Sequence, residues 1–123
     1  MKKLEAKYQT IWNHYASVAK FYGYFETKYT ETNTFNLRNI RENQWVGLKN
    51  IQENGLCIKY SDLDIREKAC DSSNTPPLTA YLIIVYTNVY YAIELNKILE
   101  HKENNKSITE KEARLVATKI VVL

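Results

Sequence analysis

The side chains able to do chemistry are few and widely spaced. His14 and His101 stand 87 positions apart, and Cys57 and Cys70 stand 13 apart. No pair of them has the spacing of a metal site, so no metal ligand and no cofactor is expected. Gly23, Gly47 and Gly55 are isolated, which excludes a glycine-rich phosphate cradle. No Gly-x-Ser-x-Gly elbow occurs, and neither cysteine has a histidine nearby. No Arg is followed four to six residues later by His, the spacing of small helical ribonucleases. The clustered acids Asp62, Asp64 and Glu67, and the pair Glu110 and Glu112, fall at predicted helix starts. There the helix dipole accounts for them, and no catalytic residue is assigned.

Two constellations remain as candidate binding surfaces. The first is a column of rings, Tyr8, Tyr15 and Tyr22, beside Lys7, His14 and Lys28. Rings interleaved with bases can stack nucleobases and hold phosphates, although the plainer reading lines a core with the rings. The second is Arg38, Arg41 and Trp45, spaced three and four apart as on one side of a helix. Arg and Trp are enriched where proteins bind one another.

The elements that must position these groups read as helices. Leu4, Tyr8, Ile11, Tyr15, Val18, Tyr22, Phe25 and Tyr29 follow one another in alternating steps of four and three. That heptad seam predicts one amphipathic helix from Lys3 to Tyr29. Asn33 or Thr34 would cap a second helix, Phe35 to Glu53, stopped by Asn54-Gly55. A short extended link leads to a small helix from Ser61 to Cys70, and a Pro-containing loop follows at 71–77. Leu78 to Lys102 is apolar on every side through Tyr81–Tyr86 and Val89–Ile93. It reads as one central helix, with two strands around Thr87-Asn88 as the alternative. Ser107-Ile108-Thr109-Glu110 has capping-box spacing and opens a last helix.

Composition agrees with a soluble globular chain. Of the 123 residues, 45% are hydrophobic and 25% charged, and only three are Gly and two Pro. So few turn formers argue against a sandwich or barrel. The expected fold is therefore all-α, an antiparallel helical bundle of four long helices plus one short, in a single domain spanning 1–123.

The net charge of +3 is concentrated in residues 1–30, where five Lys face two Glu. The isolated cysteines and the start Met1-Lys2-Lys3 suggest reduced thiols in a cytoplasmic protein, and no apolar run is long enough for a membrane span. With no catalytic motif and ten Tyr to place, the leading expectation is a non-catalytic protein-interaction module. A small inhibitor, immunity or counter-defence protein docking a helical surface on another protein would look like this, and self-association as a homodimer is a variant. The alternative is a nucleic-acid-binding subunit (RNA or single-stranded DNA) acting through Lys2, Lys3, Lys7, Lys28 and the Arg38/Arg41 pair. An enzyme would require a pocket that gathers polar side chains from different helices.

Overall fold

The computed structural model describes residues 2–55, 57–58, 73–74 and 78–123. It overturns the all-α bundle. The protein is mixed α/β, built on a four-stranded sheet with helices on both faces.

The correction begins at 78–94, read above as the bundle's inner helix. Ala80–Tyr86 (β5) and Val89–Glu94 (β6) are instead adjacent antiparallel strands, with Tyr86 opposite Val89 across the turn Thr87-Asn88. Every residue of β5 is buried. Ala80, Leu82, Ile84 and Tyr86 enter one core, while Tyr81, Ile83 and Val85 enter another. Alternation sends successive side chains to opposite faces. A strand covered on both faces therefore shows no polar side and imitates a buried helix in sequence.

The predicted first helix also divides. Lys2–Ala19 (α1) is helical, and Tyr24–Thr30 is strand β1. Between them Lys20 adopts φ 58°, Lys20 N–H donates to the Ser17 carbonyl and Phe21 N–H to the Ala16 carbonyl. This paired closure ends a helix through one left-handed residue. Gly23 then passes so near β5 that a Cβ there would stand 2.8 Å from the Thr79 carbonyl oxygen and from the Tyr81 ring.

Strand β1 lies parallel to β5 at one edge of the sheet, and Lys119–Val122 (β8) lies antiparallel to β6 at the other. Helix α1 covers one face. Trp12 and Ala16 are its buried residues, with Trp12 packed on Phe21, Phe25 and Tyr90. The opposite face carries Glu42–Asn54 (α2), Leu95–Asn104 (α3) and Glu110–Val116 (α4). A two-stranded ribbon of Thr34–Asn36 (β2) and Ser107–Thr109 (β7) closes that side. The Tyr86 hydroxyl donates to the Ile108 carbonyl at 2.7 Å, fastening the ribbon to the sheet.

Two smaller expectations also shift. The second helix begins at Glu42 rather than Phe35, because 34–36 is strand β2 and Leu37–Asn39 a single 3-10 turn. It does end at Asn54-Gly55, with Gly55 at φ 76°. The capping box lies two residues later than expected, between Thr109 and Glu112, since Ser107 is in β7. Cys57–Ile58 (β3) and Ser73–Asn74 (β4) pair antiparallel. The expected helix from Ser61 to Cys70 lies outside the described residues.

Candidate polar cleft at the edge of the sheet

On the edge strand β1 the side chains alternate between faces. Phe25 and Tyr29 join the core beneath α1, whereas Glu26 and Lys28 stand in register with Leu82 and Ile84, whose side chains face α2. Two residues apart on a strand means the same face, so Glu26 and Lys28 are neighbours there. Glu5 arrives from the other layer. It lies three and seven positions before Tyr8 and Trp12 on α1, hence on the helix side that packs against the sheet. From there it reaches the free edge of β1.

The three groups meet. Lys28 Nζ lies 3.4 Å from Glu5 Oε1 and 3.8 Å from Glu26 Oε2. The Lys28 side chain is only 11% exposed, while each carboxylate keeps about a third of its surface open. Burial holds the Glu26 carboxyl above the usual carboxylate range; the Lys28 charge opposes that and the Glu5 charge adds to it. The two acids thus repel across a single shared ammonium.

Around this trio opens a cleft of about 360 Å³, predominantly polar. Its other wall is the approach to α2, which supplies Asn39, Arg41, Asn43 and Gln44. The Gln44 Oε1 accepts the Arg41 backbone N–H at 3.0 Å, fixing that wall at the helix entrance. Side chains from α1, β1, the 3-10 turn and α2 therefore converge on one opening. Two carboxylates bracketing one ammonium, with the Arg41 guanidinium lining the same opening, offer oxygen ligands to a hard cation that displaces the ammonium and positive groups to an anion. Among the described residues no group of three or more His, Cys, Asp or Glu is placed to hold a metal. A cation here would need oxygen ligands from substrate and water to complete its shell, as Mg²⁺ commonly does.

A second depression, about 220 Å³, lies beyond the same wall; its lining is mainly apolar, from Leu37, Ile40 and Trp45, and includes Arg38, Lys102 and Lys106 together with Glu42. Lys102 Nζ sits 4.8 Å from the centroid of the Trp45 ring. A third, about 420 Å³ and almost wholly apolar, lies between α1 and the C-terminal residue, bordered by Ile11, Tyr15, Val18 and Leu123.

The sequence-derived candidates scatter across these features. Lys28 and Arg41 enter the polar cleft, and Arg38 enters the basic depression. Trp45 is buried in the core, so it offers no free ring, and it does not share one helical side with the arginines. The tyrosine column dissolves: Tyr8 packs on Tyr29 and Tyr90, Tyr15 packs on Trp12, and Tyr22 is exposed in the turn after α1. Lys7 is exposed on α1, and His14 borders the apolar depression. Glu5, Glu26 and Gln44 were missed. The available signal was Glu26-Thr27-Lys28 itself, which places an acid and a base on one face only if the segment is a strand.

Compared with known proteins, the chain matches no family description and no curated sequence. Among the described residues no helix is long and apolar enough to cross a membrane.

Proposed function

We propose that the protein acts on nucleic acid, hydrolysing a phosphodiester in the polar cleft with the help of a divalent cation. The observation that carries this reading is the Lys28 ammonium held between Glu5 and Glu26, within an opening also lined by Arg41. Polar groups from separate elements that meet in one opening support an enzyme reading. Glu5 and Glu26 would hold the cation, which would supply Lewis-acid polarisation when bound. Water forms the new bond to phosphorus as the ester P–O bond breaks. The water's proton passes to solvent, and the departing oxygen is protonated in turn. Lys28 and Arg41 face the charge that builds on the phosphoryl oxygens and stabilise it.

The test is cleavage of end-labelled DNA and RNA, single-stranded and duplex, with Mg²⁺ or Mn²⁺ and with chelator. Cleavage that needs the metal and disappears in Glu26→Gln supports the reading. If none of these substrates is cut under any metal, or if Glu26→Gln cuts like the wild type, the reading fails.

A second reading is protein docking with a second copy of this chain as the partner. It is favoured by the exposed Val18 and Leu123, which border the apolar depression, and by Ile120 and Val122, exposed on the other face of the edge strand β8. An unpaired edge strand with apolar neighbours is a ready template for another strand. Sedimentation equilibrium tests it: a dimer dispersed by Val122→Lys supports this interface, and a monomer at high concentration removes it.

A further inference from the structure

The basic depression and the polar cleft are two sides of one wall. Ile40 and Arg41 are extended, at φ −100° and −73°, so neighbouring side chains leave the backbone in opposite directions. Asn39, Arg41 and Asn43 accordingly line the cleft, while Arg38, Ile40 and Glu42 line the depression. Three Cα steps separate Arg38 from Arg41, so their backbones lie no more than about 11 Å apart. That is at most about three base steps of rise along a duplex axis, at about 3.4 Å each.

The depression gathers cations from separate parts of the chain. Arg38 comes from the 3-10 turn, Lys102 from α3, and Lys106 from the connection into β7. Their positions are coupled, because the Leu37 N–H donates to the Lys106 carbonyl at 2.9 Å and Asn36 caps the Arg38 N–H. One acid, Glu42, shares the lining, and among the described residues none of these cations has a carboxylate within salt-bridge distance. The fold thus collects three positive groups against the single acid Glu42, and among the described residues none of the three is held in an ion pair. The ring beneath them, Trp45, is buried and covered by Lys102, so no aromatic platform is offered for stacking a base.

We infer that this depression is a second phosphate-binding subsite, holding the backbone of the same polynucleotide a few nucleotides from the phosphodiester in the cleft. The inference rests on the reading of the cleft for the choice of polymer. Because it reads phosphate rather than bases, it fixes register and adds affinity without adding sequence preference.

The test is fluorescence anisotropy with a labelled duplex DNA in chelator, so that backbone binding is measured without turnover, over a range of salt. The double variant Arg38→Gln/Lys106→Gln is compared with a charge-matched control, Lys111→Gln/Lys119→Gln, on α4 and β8. The subsite predicts that the first variant binds at least about tenfold more weakly. Its slope of log K against log salt falls by about 2, near 0.9 per lost phosphate contact. The control keeps the wild-type slope. Equal loss in both variants, or wild-type binding in the first, overturns the subsite. If Glu26→Gln abolishes cleavage but Arg38→Gln/Lys106→Gln binds normally, the subsite falls alone. If Glu26→Gln still cleaves while the arginine-lysine variant releases the duplex, the catalytic reading falls and the subsite stands. A wild-type protein that binds no duplex overturns the subsite, and the catalytic reading then stands or falls on the single-stranded substrates.

Discussion

Glu5 and Lys28 come from different layers of the fold and meet at 3.4 Å, a contact made across the open edge of β1. It joins the helix on one side of the sheet to the cleft on the other. The contact is only partly shielded, because Glu5 and Glu26 keep about a third of their surface in solvent. Lys28→Met should therefore cost stability modestly, about 1–2 kcal/mol by denaturant titration. Under the proposed phosphodiester hydrolysis its effect on cleavage should be far larger, about 100-fold or more under single-turnover conditions, since that reading has Lys28 facing the developing charge. A cleavage rate no lower than the stability loss explains would return Lys28 to a purely structural part.

Glu26 sets a pH dependence of its own. Its folded carboxyl is raised above the ordinary value, first by burial. The folded state therefore holds this proton more tightly than the unfolded chain does. The associated stability is fully present below the unfolded pKa and is lost as pH rises through the folded one. Glu26→Gln removes a charge whose burial is unfavourable, so it should be more stable than the wild type at neutral pH, with the gain vanishing in acid. Glu5→Gln should lower the Glu26 pKa in a carboxyl NMR titration, because the neighbouring negative charge is gone. An upward movement would contradict the geometry.

Residues 20 and 23 discriminate between one long helix and a helix followed by a strand. Within a helix, Gly23→Ala would stabilise by about 1 kcal/mol and Lys20→Gly would destabilise similarly. In this fold both signs reverse. The new Cβ at 23 would meet the Thr79 carbonyl and the Tyr81 ring at 2.8 Å, an overpacking that typically costs about 1–3 kcal/mol. Glycine at 20 relieves a left-handed lysine at φ 58°, worth about 1 kcal/mol. Chemical denaturation of the two variants reads both signs directly.

These two positions also show what could be read from sequence. The amphipathic helix was legible only as far as Ala19, because Phe25 and Tyr29 continue the 3-4 spacing while also satisfying the two-residue alternation of a strand. A difference of four is a multiple of two, so the spacing alone fits either element. The β5–β6 hairpin was concealed by burial on both faces and by its turn, Thr87-Asn88. The strained φ of 59° falls there on a β-branched residue where Gly would have announced a hairpin. The site was hidden for the same reason. On a helix Glu26 and Lys28 diverge, and only the strand makes them neighbours. Lys28, Arg38 and Arg41 were named from charge and spacing and line openings of the fold, whereas the placing of Glu5 and Gln44 beside them depends on tertiary structure that no local pattern carries.

Thr27, between the two cleft residues on β1, points into the core beneath α1, and its buried Oγ1 has no hydrogen-bond partner among the described residues. A buried hydroxyl without a partner costs about 1–3 kcal/mol of desolvation. Thr27→Val keeps the shape and the β-branch and discards the hydroxyl. It should raise stability by about 1 kcal/mol and leave binding by the cleft unchanged, since residue 27 faces away from Glu26 and Lys28. A destabilised variant would mean that the hydroxyl has a partner, such as a bound water.

The entrance to α4 supplies an opposite pH signature. Thr109 Oγ1 accepts the Glu112 N–H at 3.2 Å, and Glu112 Oε1 accepts the Thr109 N–H at 2.9 Å. That backbone hydrogen bond, more than the Thr109 hydroxyl or the His101 charge, holds the Glu112 carboxyl below its ordinary value. A depressed carboxyl contributes stability above the unfolded pKa and loses it as pH falls through the folded one. Thr109→Ala should therefore cost about 1 kcal/mol near neutrality. Glu112→Gln should be less stable than the wild type at neutral pH, with the difference shrinking in acid, the reverse of Glu26→Gln. The helix matters beyond its length, because it presents Glu110 to the Tyr91 hydroxyl at 2.6 Å and places Ala113 in the core. Thermal melts of both carboxylate variants across an acid-to-neutral series would separate them: the two stability differences must have opposite signs at neutral pH and converge on acidification. Parallel curves would show that the shifts at 26 and 112 do not have the separate origins in burial and backbone capping assigned to them.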